Sequence, residues 1–480
     1  MAAIDRILEW FERISAIPRC SKNEEAIARW FEAWAQGRGW ASRRDPAGNL
    51  AIEVPASPGC ERAPGVVIQG HLDMVCERTP ASTHDFAADP IRLIREGDWL
   101  RADQTTLGAD NGVALAVGAA LAEAPEVTRP PLELLFTVDE ETGLTGAKQL
   151  QPKFVKGRTL INLDSETEGV FTVGCAGGRD VQAFRSFATA PPAVGARFLR
   201  LSVGGLHGGH SGVDIHRPRA NAIRLLALAL DRLTLLPGAG LATLSGGTRR
   251  NAIPRDASAV IALPPAAVPE AERLVRTLER RFAAGYPLET ALQITLAPHD
   301  GPPAELMHPV DAETAIRLLL VVPHGPAGMS PDFPEVVMTS NNLALAGVEG
   351  RTLKLFTTQR SLSPVGLDTM SARVRAVAAL AGAQHRTESE YPAWVPNLHS
   401  PLLGRCREVY RRMNGREAQV RAIHAGLECA LIGDLYPGMD MISLGPTTED
   451  AHSPSERLNV PSLARLWDFT VALLRSLAAE

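Results

Sequence analysis

The chain has 480 residues, of which 45% are hydrophobic and 21% are charged, and its net charge is −5. That length leaves room for two or three domains with a large core. The slightly acidic balance argues against nucleic acid or anionic membranes as partners, and no apolar run reaches the roughly 18 residues of a transmembrane helix. Residues 1–10 have the pattern of an amphipathic helix start with acidic residues, not of a signal peptide. These features predict a cytoplasmic protein.

The cysteines give a second indication of compartment. They are scattered along the chain without any C-x-x-C pair, at Cys20, Cys60, Cys76, Cys175, Cys406 and Cys429. This spacing predicts free, mostly buried thiols in a reducing compartment, in preference to a disulfide framework or a thiolate zinc site.

The first third of the chain alternates helix and strand patterns. Apolar positions at helical spacing predict two helices between residues 4 and 36. The elements predicted after them are strands at 49–54, 66–69, 99–103, 132–138 and 160–164, a loop at 79–89 and a helix of small residues at 113–123. This alternation predicts a mostly parallel α/β sheet with helices on both faces.

The pattern changes after about residue 178. One run has strands at 197–203, 257–263 and 292–296 and helices at 220–233 and 269–284; a second has helices at 312–320 and 366–381 and strands at 335–341, 353–358 and 384–390. Each run fits an open-faced α+β sandwich. We therefore interpret residues 179–391 as an inserted lid domain made of two ferredoxin-like halves, able to close over a site on its host.

The α/β pattern returns after residue 391. Helices are predicted at 402–414, 427–432 and 461–477, and strands at 418–423 and 440–444. These elements are expected to complete the sheet of the first domain. The predicted organisation is a catalytic domain formed by residues 1–178 and 392–480, interrupted by the lid domain at 179–391.

The first candidate site residue is His71. The run Val66–Ile68 is short and β-branched and is closed by Gly70, so His71 is predicted at the exit of a buried strand. Residues two apart on an extended chain point the same way, so Asp73 can hold one imidazole nitrogen of His71 while the other binds a metal. By itself, the His-x-Asp pattern is more typical of a hydrogen-bonded loop histidine beside an N-capping aspartate.

Four further stretches place ligand-type side chains at strand exits or turns. Asp110 lies in a glycine-containing turn, Glu141 and Asp164 follow apolar strands, and His452 follows the last predicted strand. Each has an ordinary alternative when taken alone: a turn residue for Asp110, solvated charge for Glu140 and Glu141, an isolated histidine for His452. Together with His71 they supply the ligands for two divalent metal ions about 3.5–4 Å apart, bridged by one carboxylate.

Several motifs resemble those of the zinc-dependent aminoacylase and dipeptidase family. The motifs that carry the metal-site resemblance are Gly-His-Leu-Asp-Met-Val at 70–75, Leu-Gly-Ala-Asp-Asn-Gly at 107–112, Asp-Glu-Glu-Thr-Gly at 139–143, Asn-Leu-Asp-Ser-Glu at 162–166 and Ala-His-Ser-Pro-Ser-Glu at 451–456. Stretches 205–212, 249–254 and 424–429 are similar to the aminoacyl-histidine dipeptidase branch of that family. The resemblance spans nearly the whole chain.

The resemblance implies a role for each metal-site residue. Asp110 would bridge two zinc ions, with His71 and Asp164 completing one site and Glu141 and His452 the other. Mn²⁺ or Co²⁺ would serve as substitutes for zinc. Asp73 would orient His71, and Glu140 would be the general base of hydrolysis. The Asp110-Asn111 peptide is expected to be cis, as it often is in this family.

The resemblance also implies substrate-binding residues in the inserted domain and near its end. His210 would stabilise the oxyanion that develops on the substrate carbonyl, whereas the nearby His207 falls outside that motif position. Asn251, Arg360 and the backbone around Gly426 would hold the free carboxylate of a small peptide. No nucleic acid or membrane partner is expected, and the family's habit of pairing through the smaller domain implies a homodimer.

Two other functions remain open at this point. The same metal ligands would serve an amidohydrolase that removes the acyl group of an N-acyl amino acid, although an insert of two halves favours the dipeptidases. A binding protein that kept the fold without the chemistry is the other alternative; the presence of Glu140 and of every ligand argues against it.

Overall fold

The structure, a computed structural model, describes residues 3–300 and 305–479. These residues form two compact units. Unit 1 contains the described residues of Met1–Cys175, Trp394–Ala422 and Leu427–Glu480, and unit 2 those of Ala176–Ala393 and Ile423–Gly426. The short segment Ile423–Gly426 differs from the sequence-based division, which assigned it to the catalytic domain. It joins unit 2 because the amide of Ala176 donates to the carbonyls of residues 423 and 425, at 3.0 and 3.1 Å.

The helices and strands are as follows. The first part of the chain contains α1 (Ala3–Ser15), α2 (Glu25–Gly37), β1 (Ser42–Arg44), β2 (Leu50–Val54), β3 (Val66–His71), β4 (Leu93–Glu96), β5 (Trp99–Ala102), α3 (Ala109–Glu123), β6 (Leu132–Thr137), α4 (Thr145–Gln149), β7 (Thr159–Asn162) and β8 (Val170–Cys175). The middle part contains β9 (Gly177–Ser186), β10 (Thr189–Ala190), β11 (Arg197–Gly204), β12 (Gly209–His210), α5 (Ala222–Leu233), β13 (Gly240–Gly246), β14 (Ala252–Ile253), β15 (Ala257–Leu263), α6 (Val268–Gly285), β16 (Gln293–Pro298), β17 (Leu306–Met307), α7 (Pro309–Val321), β18 (Gly325–Met329), β19 (Val337–Glu349), β20 (Thr352–Ser361), α8 (Pro364–Leu380) and β21 (Gln384–Tyr391). The last part contains α9 (Pro401–Asn414), β22 (Gln419–Ile423), α10 (Glu428–Leu435), β23 (Asp440–Ser443), β24 (Thr448–Glu449), β25 (Arg457–Asn459) and α11 (Val460–Leu477).

Unit 1 is built on a mixed sheet with the strand order β1-β2-β6-β3-β7-β23-β8-β22. The central strands β6, β3, β7 and β23 are parallel, as the alternating pattern predicts, whereas the outer strands β1, β2 and β8 pair antiparallel to their neighbours. Strands β3 and β6 are buried along their whole length, which explains why they are mainly apolar without a regular alternation of apolar and polar residues. The last part of the chain contributes β23 to this sheet, as expected.

Unit 2 contains a large antiparallel sheet with the order β16-β11-β15-β13-β19-β20-β9-β21, in which β18 also pairs with β19, and the two-stranded pairs β10-β17 and β12-β14. The first half of this unit consists of β11, α5, β13, β15, α6 and β16. The second half begins with β9, which precedes the first half in the chain, and continues with α7, β19, β20, α8 and β21. Strands β9 and β13 are missing from the sequence-based prediction. In each half the fourth strand lies beside the first, and the third beside the second. The ferredoxin-like character of the two halves stays an interpretation that rests on this connectivity.

The structure bears on two expectations from composition, one about membrane-spanning helices and one about the cysteines. None of the described helices is long and apolar enough to cross a membrane. The prediction that all cysteines are free thiols is wrong for one pair, because Cys20 and Cys76 form a disulfide. A β-bridge between Cys20 and Met74 brings the two segments side by side, with the cysteine Cα atoms 5.7 Å apart. Cys60, Cys175, Cys406 and Cys429 are not part of a disulfide.

Candidate active site

Neighbouring parallel strands of unit 1 deliver the candidate metal ligands to one edge of the sheet. His71 is the last residue of β3, Glu141 lies four residues after the end of β6, and Asp164 lies two residues after the end of β7. His452 lies between β24 and β25, after β23. Since the carboxyl ends of parallel strands meet at the same edge, the fold itself gathers these side chains.

Asp110 lies between the two candidate metal positions. One of its carboxylate oxygens is 3.0 Å from Nε2 of His71, and the other is 3.0 Å from Nε2 of His452. On the first side, Nε2 of His71 is also 3.3 Å from Asp164; on the second side, Nε2 of His452 is also 3.0 Å from Glu141. The shared carboxylate thus faces two sets of ligands, each with one histidine and one further carboxylate.

The residues present fit a pair of divalent metal ions. Two atoms bound to the same zinc ion in a tetrahedral site lie about 3.4 Å apart, close to the 3.0–3.3 Å seen here. The other carboxylate oxygen of Glu141 is buried without a hydrogen-bond partner. When ionised, Asp110, Glu141, Asp164 and Glu140 carry as many negative charges as two divalent cations carry positive ones.

The pKa values of the cluster show that it has an excess of negative charge. Hydrogen bonds that the carboxylates of Asp110 and Glu141 accept from its ring raise the pKa of His452 to about 11. Burial opposes protonation of His71, but the contacts with Asp110 and Asp164 outweigh it and raise the pKa of His71 well above its ordinary value. Burial raises the pKa of Asp164 to about 6, and the nearby carboxylates of Asp110 and Glu141 contribute to the increase, although His71 acts against it. A cation at this site would relieve this repulsion.

Asp73 orients both a ligand and the segment that carries the predicted base. Its carboxylate lies 3.3 Å from Nδ1 of His71, so the other ring nitrogen of His71 faces the metal position, as the spacing of the two residues predicts. The same carboxylate accepts hydrogen bonds from Ser21 (2.8 Å) and from the backbone amides of Glu140 (3.0 Å) and Glu141 (3.2 Å). Burial acts to raise the pKa of Asp73, but these partners, His71 above all, lower it to about 2.

Glu140 lies beside the candidate metal ligands, and its carboxylate is distinct from that of Glu141. Its carboxylate belongs to a group with His71 and Glu141 whose ligand atoms all lie within 4.8 Å of one another. Burial raises the pKa of Glu140 well above its ordinary value; His71 opposes this effect, and Asp164 adds to it. A carboxyl group with a raised pKa next to a metal position has the property that a general base needs to accept and return a proton.

Asn111 connects the strands that carry His71 and Asp164. Its side-chain oxygen accepts a hydrogen bond from the amide of His71 (3.2 Å), and its nitrogen donates to the carbonyl of Leu163 (2.8 Å). Gly70 makes room for this contact, since a Cβ there would lie 2.2 Å from Asn111 and 2.3 Å from Ala114. The Asp110-Asn111 peptide bond is cis, as the resemblance implied.

Glu456 is a buried carboxylate to which the sequence analysis gave no role. It accepts hydrogen bonds from four successive backbone amides, those of residues 107–110, at 2.7–3.3 Å. These amides lie just before and at the start of α3, so the negative charge of Glu456 also lies at a helix N-terminus, where it is favoured. Glu456 therefore fixes the turn that carries Asp110. The only signal in the sequence was its place at the end of the His452 motif.

Arg19 holds the same turn from the other side. This buried guanidinium donates to the carbonyls of Leu72 (3.0 Å), Asp73 (2.9 Å) and Gly108 (2.5 Å). Burial lowers the pKa of Arg19 to about 10, while Glu456 and Asp73 oppose that decrease. No pattern near Arg19 indicated this role, because its partners are 53–89 residues away in the chain.

A buried polar layer lies on the strands just before the ligands. Glu428, on α10, accepts hydrogen bonds from Gln69 and Thr137, both at 2.6 Å, and Gln69 accepts one from Asn162, also at 2.6 Å. Burial raises the pKa of Glu428 to about 7, whereas His71 acts to lower it. These hydrogen bonds connect residues near the ends of β3, β6 and β7. They therefore stabilise the spacing of the candidate metal ligands that follow these strands.

In unit 2, His210 is held as a neutral hydrogen-bond donor. Its Nδ1 accepts hydrogen bonds from the amides of Gly212 (3.2 Å) and Val213 (3.1 Å), so we assign the ring proton to Nε2. Burial and, secondly, the charge of Arg360 lower the pKa of His210 to about 4. Strand β12, which carries His210, pairs with β14 so that His210 lies opposite Ala252, the residue that follows Asn251 in the chain.

The other predicted substrate-binding residues also lie in unit 2. Asn251 has an exposed side chain, and its carbonyl accepts a hydrogen bond from the amide of Ser211 at 2.8 Å. Arg360 is buried on β20 and donates to the hydroxyl of Tyr391 at 2.7 Å. A Cβ at Gly426 would lie 3.1 Å from the Tyr391 ring, so Tyr391 is near both Arg360 and Gly426. The predicted residues therefore fall into two groups, one in each unit.

Comparison with known proteins gives a consistent picture. Residues 67–476 match the family described as peptidase family M20/M25/M40. The cytosol non-specific dipeptidase of Escherichia coli (strain K12) is 36% identical over 477 residues, which cover 98% of this chain and 97% of that protein. The crystal structure of aminoacylhistidine dipeptidase from Vibrio alginolyticus superimposes with a TM-score of 0.88 at 37% identity, covering 98% of this chain and 96% of that one. The aminopeptidase PepT from Bacillus cereus ATCC 10987 shares the fold, with a TM-score of 0.57 at 17% identity over 99% of each chain.

Proposed function

We propose that this chain, which belongs to peptidase family M20/M25/M40, is a dipeptidase that binds two zinc ions and hydrolyses unblocked dipeptides of the Xaa-His type with broad specificity. The observation that carries the proposal is the position of Asp110, whose two oxygens face two sets of ligands. The relatives at 36% and 37% identity, both named dipeptidases, support the choice of substrate.

In the proposed hydrolysis, the metal ions and the protein side chains have different roles. When bound, the two zinc ions would polarise the scissile carbonyl and lower the pKa of water at the site toward about 7. Glu140 takes the proton of the attacking water and returns it to the leaving amine. Asp73 holds the imidazole of His71 by Nδ1 and the Glu140 segment by its backbone, so it keeps ligand and base in a fixed relation.

Substrate recognition is assigned to residues of unit 2. In this proposal, Nε2 of His210 donates a hydrogen bond to the carbonyl oxygen as negative charge develops on it. Arg360, Asn251 and the backbone at Gly426 bind the free carboxylate of the dipeptide. The planar guanidinium of Arg360 suits that task because it can donate to both carboxylate oxygens at once.

The alternative chemistry, removal of an acyl group from an N-acyl amino acid, is not favoured. The metal ligands would serve both reactions, but the relatives above 30% identity are named dipeptidases. We also propose that the enzyme acts in the cytoplasm, which the name of the Escherichia coli relative supports. Two copies of the chain are proposed to form a homodimer.

A hydrolysis assay on a small panel tests the proposal. The panel contains Ala-His, β-Ala-His, Gly-Gly, a tripeptide and N-acetyl amino acids, with enzyme that has been treated with chelator and then restored with zinc. We expect cleavage confined to dipeptides, loss of cleavage on chelation and its return with zinc. Glu140→Gln is expected to keep its metal and to lose about 10²–10⁴-fold in kcat.

Glu9→Gln, an exposed change on α1, is the matched control and is expected to retain full activity. Cleavage of N-acetyl substrates alone would indicate that the chain is a deacylase and not a dipeptidase. Undiminished activity of Glu140→Gln, or of chelated enzyme, would refute the proposed mechanism.

A further inference from the structure

A row of residues crosses the sheet of unit 2 from β19 to β21. Ser340 on β19 is paired with Arg360 on β20, Arg360 with Gly178 on β9, and Gly178 with Tyr391 on β21. Residues that lie directly opposite each other on antiparallel strands project to the same face of the sheet. Ser340, Arg360 and Tyr391 therefore share one face of the sheet. Gly178, which has no side chain, lies between Arg360 and Tyr391.

Gly178 gives Tyr391 the space to reach Arg360. A Cβ at Gly178 would lie 2.4 Å from carbon atoms of the Tyr391 ring, so the ring occupies the space above this glycine. From there the Tyr391 hydroxyl accepts a hydrogen bond from the guanidinium of Arg360 at 2.7 Å. This bond fixes the direction of the guanidinium plane.

His424 lies over the other end of the row. Its Nε2 is 2.7 Å from the hydroxyl of Ser340, while its Nδ1 is buried and makes no hydrogen bond of normal geometry. Burial and, secondly, the charge of Arg360 lower the pKa of His424 to about 3, so the imidazole is neutral. A contact with the backbone of Val337 acts to raise the pKa of the ring. If Ser340 donates to Nε2, the ring proton lies on Nδ1, and we assign this tautomer because it leaves Nδ1 as a donor.

Arg360 has no counter-ion of its own. It is only 8% exposed, its Nε has no hydrogen-bond partner, and no carboxylate oxygen of the described residues lies within 4.0 Å of its guanidinium. Asp180 attracts Arg360 at longer range, but its carboxylate lies 3.5 Å from Arg250 instead. A buried cation without a paired anion is costly, which indicates that the anion comes from a ligand.

We propose that His424 is a specificity-determining residue that, with Arg360, binds the free carboxylate of the dipeptide, and that Ser340 and Tyr391 orient these two side chains. The inference rests on the proposed function, to which it adds the reason for selecting an unblocked peptide. Arg360 and Nδ1 of His424 offer hydrogen-bond donors only. A carboxylate has two acceptor oxygens for them, whereas a carboxamide would direct its own N–H groups at these donors.

The first test compares Ala-His with its C-terminal amide in the zinc-loaded full chain. We expect the wild type to prefer the free acid by about 100-fold in kcat/KM. His424→Ala should lower this preference about tenfold through KM, with kcat and metal content little changed. His424→Asn should restore most of it, because the asparagine nitrogen takes the place of Nδ1. His385→Ala, at an exposed histidine on β21, is the matched control.

A preference that is unchanged in His424→Ala would overturn the inference. So would a loss of kcat or metal with an unchanged ratio between acid and amide, because that result indicates a purely structural role. The second test, calorimetric binding of L-histidine and L-histidinamide, does not depend on catalysis. Weaker binding of L-histidine to His424→Ala would support the subsite even if neither peptide were hydrolysed, in which case the proposed function alone would fail; equal binding would overturn the subsite.

Discussion

The histidines of the two units are held in opposite electrostatic environments. In unit 1, carboxylates surround His71 and His452, and the pKa of each is raised, that of His452 to about 11. In unit 2, His424 is buried and His210 is half-buried, both near Arg360, and their pKa values are lowered to about 3 and 4, respectively. Residue type is therefore a poor guide to the role of a histidine in this protein.

The difference shows what each cluster is able to bind. A ring of carboxylates with histidine nitrogens attracts cations, and its excess of negative charge is relieved by metal. Neutral imidazoles beside an unpaired arginine attract an anion and can donate hydrogen bonds to it without competing for a metal ion. The predictions below test this contrast.

The largest effect is expected at Asp110, because it serves both sets of ligands. Asp110→Asn removes one negative charge and replaces one acceptor oxygen with a nitrogen that carries two hydrogens. We expect loss of tightly bound metal at both positions and a decrease of more than about a thousandfold in activity, measured by elemental analysis and by hydrolysis of Ala-His. Asp468→Asn, at an exposed carboxylate on α11, is the control; retention of two metal ions by Asp110→Asn would contradict the bridging role.

A smaller effect on rate, without any effect on metal, is expected at His210. His210→Asn shortens the side chain and withdraws the Nε2 donor, so kcat should fall about a hundredfold while metal content stays constant. His207 provides a matched control nearby in the chain, since its side chain is 54% exposed and its Nδ1 lies 2.8 Å from the carboxylate of Glu289. If His207→Asn lost as much kcat as His210→Asn, this segment as a whole, and not His210, would be responsible.

The smallest effect concerns the pH dependence of stability. The pKa of His424 is lower in the folded chain, at about 3, than its ordinary value of 6.5, so the unfolded chain takes up a proton first as the pH falls. Stability is therefore complete above pH 6.5 and decreases below it, by at most about 1.4 kcal/mol per pH unit for this one group. Thermal unfolding from pH 7.5 to 4.5 should show a shallower decrease in His424→Asn than in the wild type; parallel curves would contradict the lowered pKa.

The sequence by itself identified the candidate metal-site residues and predicted that they lie at strand ends and turns; their binding of metal stays a prediction. Short apolar runs ended by Gly70 or by a carboxylate marked where strands stop, and side chains at strand ends are free to meet a ligand. The two-residue spacing of His71 and Asp73 also predicted their contact, because side-chain direction along an extended chain depends on local geometry alone. The assignment of roles to Asn251, Arg360 and Gly426 came from resemblance and stays a prediction.

Only the tertiary structure decided which distant residues meet. The order β6-β3-β7-β23, the four amides bound by Glu456 and the Cys20–Cys76 disulfide all join segments that are far apart in sequence. The row from Ser340 to Tyr391 depends on the register of three strand pairs, and a shift by one residue would turn Arg360 to the other face. Local patterns in the chain specify strands and turns, but register and strand order arise from packing of the whole sheet.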